Sequence, residues 1–143
     1  METLPPVSEI RHRVNYSEVD RMGVAYHARY LVWFDMARTE HIRRTGISYR
    51  ELEARGILLA VGELRVRYRQ PARYDDVVRI RCWVRERASR RVTFGYAVER
   101  LEDGGLLATG ETAMMALNSR FAPARLPGEI AALLPVCPDP VKL

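Results

Sequence analysis

Two acids, a glycine and a histidine lie close together in the stretch Asn15 to Phe34: Glu18, Asp20, Gly23 and His27. A strand-like run through Arg13, Val14, Asn15 and Tyr16 leads into the acids, Gly23 breaks the backbone, and an apolar helical pattern begins near Ala28. An acid therefore sits just ahead of a helix N-terminus. Such an end presents unpaired backbone N–H groups and the positive pole of the helix dipole, which suits it to hold a carbonyl oxygen acquiring negative charge. A carboxylate beside it can attack an acyl carbon or activate a water. The same residues also have a plain structural reading, because Asp is common before helices as a cap and in Asx turns. Asp20 lies several residues upstream of the helical pattern, so it reaches the helix end only if the loop folds back. His27, like any lone histidine, is more often packed or surface-exposed than catalytic. With His12 and His41 it makes no zinc spacing such as H-E-x-x-H, and no metal is expected.

The elements that must position this loop follow from periodicity. Ile10 to Tyr16 reads as a first strand, and Met1 to Glu9, with Pro5 and Pro6, as a loose lead-in. Ala28 to Thr45 is helical. Tyr30 to Phe34 are consecutive apolar residues that cannot share one face, so the first half of this helix must be covered on several sides. Its second half is polar, Glu40 and Arg44 form an i,i+4 pair, and Gly46 supplies the stop. Ser48 to Glu51 has capping-box spacing for a shorter helix closed by Gly56. Beyond it the period changes to two. Leu64, Val66 and Tyr68, then Val78 to Val84, then Val92 to Val98 alternate with polar or small residues, giving strands with one wet face each. Glu102-Asp103-Gly104-Gly105 is a hairpin turn into a last strand, Leu106 to Leu117. Pro127 to Leu134 forms a short terminal helix. The short connections favour an antiparallel sheet wrapped around one central helix.

Composition narrows the partners. With 143 residues the chain fits a single domain, its core about 10–118 and a C-terminal tail 119–143. No run is long and apolar enough to cross a bilayer, and METLPPVSEI lacks the regions of a signal peptide, so a cytoplasmic location with no membrane partner is expected. Cys82 and Cys137 form neither a disulfide framework nor a metal spacing. The net charge of +5 is carried by arginine, Lys142 being the sole lysine. A basic balance favours nucleic acid, acidic membrane surfaces or the phosphates of coenzyme A. Arg65, Arg67, Arg79 and Arg81 read most economically as a solvated sheet face. No nucleic-acid motif appears and the basic residues are dispersed, so nucleic acid is disfavoured. Ser89, Arg90 and Arg91 differ, because they fall in a turn from which guanidinium groups can reach phosphates without distorting a sheet. Serine and cysteine hydrolase chemistry lacks support: there is no G-x-S-x-G elbow, and Cys82 falls on the apolar side of its strand.

The string Y-S-E-V-D-R-M-G-V-A-Y-H-A-R-Y-L-V-W-F-D-M-A-R, from Tyr16 to Arg38, resembles the signature of the hotdog-fold acyl-CoA thioesterases, nearest to the hydroxybenzoyl-CoA thioesterase type. Asp20, Gly23, Val24, Tyr26, His27 and Tyr30 fall on that pattern. The likeness continues through Tyr68, Gln70-Pro71-Ala72-Arg73 and Asp75-Asp76. The resemblance implies an α+β hotdog fold, a curved antiparallel sheet around one long helix, and thioester hydrolysis with Asp20 as nucleophile or general base. It implies that the backbone N–H near His27 holds the oxyanion and that the imidazole contacts the thioester or a water. Gly23, Val24, Tyr26 and Tyr30 would bind substrate, and Ser89, Arg90 and Arg91 would meet the CoA phosphates. Coenzyme A enters as part of the substrate, and no other cofactor is implied. The family's Asn after His-x is Arg29 here, which supports the alternative of a non-catalytic acyl-CoA or acyl-carrier binding module. The acidic loop matches the thioesterase branch better than a hydratase pattern. A homodimer is expected, commonly a dimer of dimers in relatives, with the site at the subunit boundary, because one curved sheet leaves open edges that a twofold axis can pair.

Overall fold

In the computed structural model, which describes residues 5–143, the chain runs β1 (Ser8–Arg13), a 3-10 turn (Tyr16–Glu18), α1 (Arg29–Arg43), α2 (Tyr49–Ala54), β2 (Leu58–Tyr68), β3 (Val77–Arg87), β4 (Arg91–Arg100), β5 (Leu106–Leu117) and α3 (Gly128–Ala131). The strands form one antiparallel sheet in the order β1-β3-β4-β5-β2, with α1 packed on one face. This is the α+β hotdog arrangement expected.

The period-two patterns decide which face meets the helix. Val78, Ile80, Cys82 and Val84 of β3 join Val92, Phe94, Tyr96 and Val98 of β4 against Tyr30, Trp33, Phe34 and Ala37 of α1. Phe34 stacks flat on Tyr96, with ring centroids 4.3 Å apart and planes at 9°. Gly110 on β5 makes that approach possible, since a Cβ there would lie 2.5 Å from the Phe34 ring.

The outer face departs from expectation. β4 is buried on both sides, because the C-terminal tail crosses the sheet: Cys137 packs on Trp83 and Ala97, with Val141 and Leu143 beside them. Asp139 accepts from the Trp83 indole (2.9 Å) and from Arg85 (2.8 Å). Arg79 and Arg81 converge on Glu99 instead of standing in solvent (3.2 and 2.9 Å). The tail also contributes Leu126, Ile130 and Leu134 to the main core. β2 departs the other way. It begins at Leu58, six residues before the clean alternation starts at Leu64, and Val61, Leu64 and Tyr68 remain 52%, 44% and 49% exposed.

Smaller differences have local causes. β1 starts at Ser8 and ends at Arg13, because Asn15 leaves the strand to cap the 3-10 turn, its side chain accepting from the Ser17 N–H (2.8 Å). Of the proline-containing lead-in, Met1–Leu4 lie outside the described residues. Val32 is exposed, so α1 is covered on fewer sides than its apolar run implies. Glu40 pairs with Arg43 (2.7 Å), while Arg44 turns to the carbonyls of Val7 and Pro5. Ser48 accepts from the Glu51 N–H (3.2 Å), one half of the capping box. Among the described residues no helix is long and apolar enough to cross a membrane.

Candidate active site

The loop before α1 folds back as a short hairpin. Val19 bridges Ala25, the Asp20 N–H donates to the Val24 carbonyl (2.9 Å), and the Gly23 N–H donates to the Asp20 carbonyl (3.0 Å). Gly23 has φ +78, a left-handed conformation that costs glycine little. The Ala25 N–H then donates to Ala72 (2.8 Å), fastening the hairpin to the segment after β2.

Asp20 stands at the first corner of this turn and is half-buried. Its Oδ1 accepts the Met22 N–H at 2.8 Å, so the Asx-turn reading holds for one carboxylate oxygen. Among the described residues its Oδ2 has no hydrogen-bond partner. Asp20 is not the helix cap: Ala28 occupies that position in αR conformation and no side chain bonds to the helix start. Asp20 and the two residues that flank the start of α1, His27 and Tyr30, instead line one cavity of about 300 Å³, together with Met22, Val24, Tyr68 and others. Its floor is aromatic, with Tyr30 and Tyr68 edge-to-face at 5.1 Å. The Tyr68 hydroxyl donates to the His27 carbonyl (2.7 Å), and the Tyr30 hydroxyl accepts from the Ala72 N–H (3.1 Å). Burial raises the Tyr30 phenol, so both rings are neutral near pH 7.

The wall opposite the hairpin is Gln70 and Pro71, pinned from below. Arg100 donates to the Pro71 carbonyl (3.0 Å) and to the Asp76 carboxylate (3.2 Å), which also accepts the Arg73 N–H (2.9 Å). Asp75, at φ +70, donates its N–H to Val14 (2.9 Å).

Of the residues singled out from sequence, Asp20, Val24, His27 and Tyr30 line the cavity. Gly23 shapes the turn without lining it. Tyr26 does not line the cavity: it is exposed and lies against the His27 ring (4.3 Å). Arg29, in place of the family's Asn, reaches back to the Ser17 carbonyl (3.4 Å). Ser89, Arg90 and Arg91 are not brought to Asp20 within one chain. Arg91 and Ala60 both pair with Met115, while Tyr68 at the cavity pairs with Ala108, eight residues along β2 from Ala60. At a strand rise of about 3.3 Å that is roughly 26 Å. Sequence reasoning gave Met22, Arg69 and Pro71 no role in the site, and only the hairpin's fold-back, which periodicity does not report, brings them together. Among the described residues no cluster of three or more His, Cys, Asp or Glu could hold a metal.

The sequence profile of the thioesterase-like superfamily matches residues 14–134. The acyl-CoA thioester hydrolase YbgC of Escherichia coli is 31% identical over 121 residues, 84% of this chain and 90% of the relative. The crystal structure of a hypothetical protein from Thermus thermophilus superimposes with a TM-score of 0.84 at 39% identity, covering 89% of this chain and 96% of the other. A DHNA-CoA thioesterase from Staphylococcus aureus superimposes with a TM-score of 0.80 at 34% identity, covering 84% and 80%.

Proposed function

The chain belongs to the thioesterase-like superfamily, and on that premise we propose that it hydrolyses acyl-CoA thioesters to a carboxylic acid and free coenzyme A, with Asp20 as nucleophile or general base. One observation carries the reading: among the described residues Asp20 keeps one carboxylate oxygen without a partner, and it shares a cavity with His27 and Tyr30, which flank a helix start that no side chain caps. The similarity to the Escherichia coli acyl-CoA thioester hydrolase supports the substrate class.

On the nucleophilic route, Asp20 adds to the thioester carbonyl, the thiolate leaves and takes a proton from solvent, and water cleaves the resulting anhydride. On the general-base route, Asp20 takes a proton from a water as that water attacks. In both, the N–H groups at the start of α1, near His27, receive the oxyanion, a contribution of roughly 3 to 4 kcal/mol for one strong donor. The His27 ring, exposed at the rim, contacts the thioester or a water. Val24 and Tyr30 hold the acyl group, Gly23 sets the turn, and no cofactor beyond the substrate's own CoA is needed. Thiol release from a panel of aliphatic and aromatic acyl-CoAs tests the reading. Turnover that Asp20→Asn lowers by orders of magnitude supports it, and tight binding without thiol release by the wild type would favour the acyl-binding module.

The working unit in this reading is a homodimer, able to associate further into a dimer of dimers. β2 is an eleven-residue edge with exposed Val61, Leu64 and Tyr68, and such an edge is a template for pairing. A twofold axis makes the two edges antiparallel. A pairing centred on Leu64 sets Ala60 of one copy opposite Tyr68 of the other, which carries the Ser89-Arg90-Arg91 turn of one copy toward the Asp20 cavity of its neighbour. The CoA phosphates would lie there. Sedimentation and activity of Leu64→Lys test this together: dimer content and turnover should fall in parallel, and a fully active monomer would end it.

A further inference from the structure

The loop carries a second acid that the proposed chemistry leaves unused. Glu18 is 7% exposed, and its carboxylate is saturated by donors from three parts of the fold. The Asn15 N–H donates to Oε1 at 2.9 Å, His12 Nε2 on β1 donates to Oε1 at 2.7 Å, and the Trp33 indole on α1 donates to Oε2 at 2.8 Å. The Glu18 carbonyl in turn accepts the Tyr26 N–H at 2.7 Å. Burial opposes ionisation here, but the Asn15 amide, the Trp33 indole and His12 overcome it and hold Glu18 below the usual carboxylate range. The group is thus a charged rivet among a strand, a loop and a helix.

Its place in the chain gives the rivet a use. Glu18 immediately precedes the hairpin that carries Asp20, and Trp33 lies about one turn into α1, packed on Tyr30 at 4.7 Å. Arg21, Met22 and Gly23 at the hairpin tip are exposed, so the tip has no core of its own to fix it. Backbone contacts to Ala72, Arg73 and Tyr74 hold the returning strand of the hairpin, Gly23 to Ala25, so the placement of its outgoing strand, which carries Asp20, depends on what holds Glu18. We propose that Glu18 is a positioning residue, its carboxylate clamped between His12 and Trp33 so that Asp20 stays aimed at the N-terminus of α1. This rests on the reading that Asp20 performs the acyl chemistry.

The partners' chemistry makes the clamp easy to break without changing its shape. An indole N–H and a backbone N–H are donors only. In Glu18→Gln the amide NH2 must face one of them, so one contact becomes donor against donor wherever the side chain turns. Misplacing a reacting group by a fraction of an ångström to an ångström costs up to about a hundredfold in rate. Glu18→Gln should lower kcat about tenfold with KM within about twofold of wild type. His12→Leu should act in the same direction, and His12→Gln, whose amide N–H can replace the imidazole donor, should recover most of the rate.

The experiment is a double-mutant cycle: kcat and KM for wild type, Glu18→Gln, Asp20→Asn and the double variant, with thermal unfolding of each and the two His12 variants as a second perturbation of the clamp. The expected result is a kcat loss for Glu18→Gln and His12→Leu, recovered by His12→Gln, that disappears in the Asp20→Asn background. An unchanged kcat in folded Glu18→Gln, or the same fold-loss with and without Asp20, would overturn the positioning role alone. Should Glu18→Gln fail to fold, equal rates for His12→Leu and His12→Gln would overturn it. Wild-type turnover by Asp20→Asn would instead remove the acyl reading, and the proposal with it.

Discussion

The two ends of α1 treat polar groups in opposite ways. In its C-terminal half Arg38 is only 6% exposed, yet its guanidinium donates to Tyr49 (2.8 Å), Tyr96 (3.0 Å) and Asp35 (2.6 Å), and Tyr96 also pairs with Thr112 (2.7 Å). Those acceptors hold Arg38 charged against the opposing effect of burial. His41, one turn on and 2% exposed, pairs with the Ser8 hydroxyl (2.6 Å). At the N-terminal end, among the described residues, no side chain caps the helix and Asp20 keeps one oxygen without a partner beside an open cavity. Buried polar groups with every bond made fix structure. Groups with bonding capacity left over, facing a cavity, are the ones able to act on a ligand.

The largest test of this contrast is Asp20→Asn. The amide keeps an oxygen for the Met22 N–H, so stability should change by less than about 0.5 kcal/mol. Turnover should fall on the order of a thousandfold, about 4 kcal/mol of barrier. Thiol release slowed to that extent with an unchanged melting curve is the signature; a matching loss of stability would mean Asp20 belongs with the structural set.

His41 should produce the converse, a stability effect with a pH signature. Burial and then the nearby Arg44 depress its pKa to about 4, below the ordinary value of 6.5. The unfolded chain therefore binds a proton that the folded chain refuses between those values, and stability falls as pH drops from about 6.5 to about 4, then levels for this group. The full difference is about 3 kcal/mol. Melting temperature against pH reads the slope, and the imidazole resonances should report a neutral ring at pH 6. Arg38→Met, smaller again, leaves the half-buried Tyr49 hydroxyl without its partner and takes one partner from the buried Tyr96 hydroxyl, and should cost about 2 kcal/mol of stability by denaturant unfolding. Turnover per folded molecule should hold within about twofold, because nothing at the cavity touches Arg38.

Much of this division is legible in the sequence. The acid ahead of the helix, the alternating strands and the stop at Gly46 all follow from local pattern, and four residues that the family string singles out, Asp20, Val24, His27 and Tyr30, line one cavity. What sequence pattern missed was non-local. Glu18 and Asp20 look alike as letters, and only the fold shows that three donors converge on one and that the other is half open. The wet faces expected of β3 and β4 were lost in part because a tail without periodicity crosses them, Cys137 packing on Trp83 and Ala97 and Asp139 accepting from Trp83 where alternation put solvent. The resemblance assigned the turn at Arg90 to the CoA phosphates without fixing its distance from Asp20, and the register of β2 and β4 on β5 sets it at the far end of the sheet within one chain.

That separation allows a smaller prediction to decide whether a second copy completes the N-terminal end of α1. Arg90 is exposed, its backbone carbonyl already taken by the Ala116 N–H (2.9 Å), and roughly 26 Å of strand lies between it and the Asp20 cavity. In an isolated protomer reversing its charge should leave catalysis alone. In a dimer paired through β2 it should weaken the hold on the CoA phosphates of a substrate whose thioester lies at the other copy's Asp20. Arg90→Glu is then expected to raise KM for an acyl-CoA about tenfold, about 1.4 kcal/mol, with kcat little changed. A thioester of the same acyl group on pantetheine lacks those phosphates and should be unaffected. Added salt should shrink the difference between the two substrates, since exposed guanidinium–phosphate attraction is screened. Equal KM changes for both substrates would place Arg90 outside the phosphate site. Mixing Arg90→Glu with Asp20→Asn sharpens the result further: each heterodimer then carries one cavity with neither lesion, so activity with normal KM should return. Its failure to return would mean that the turn serves the cavity of its own chain or none.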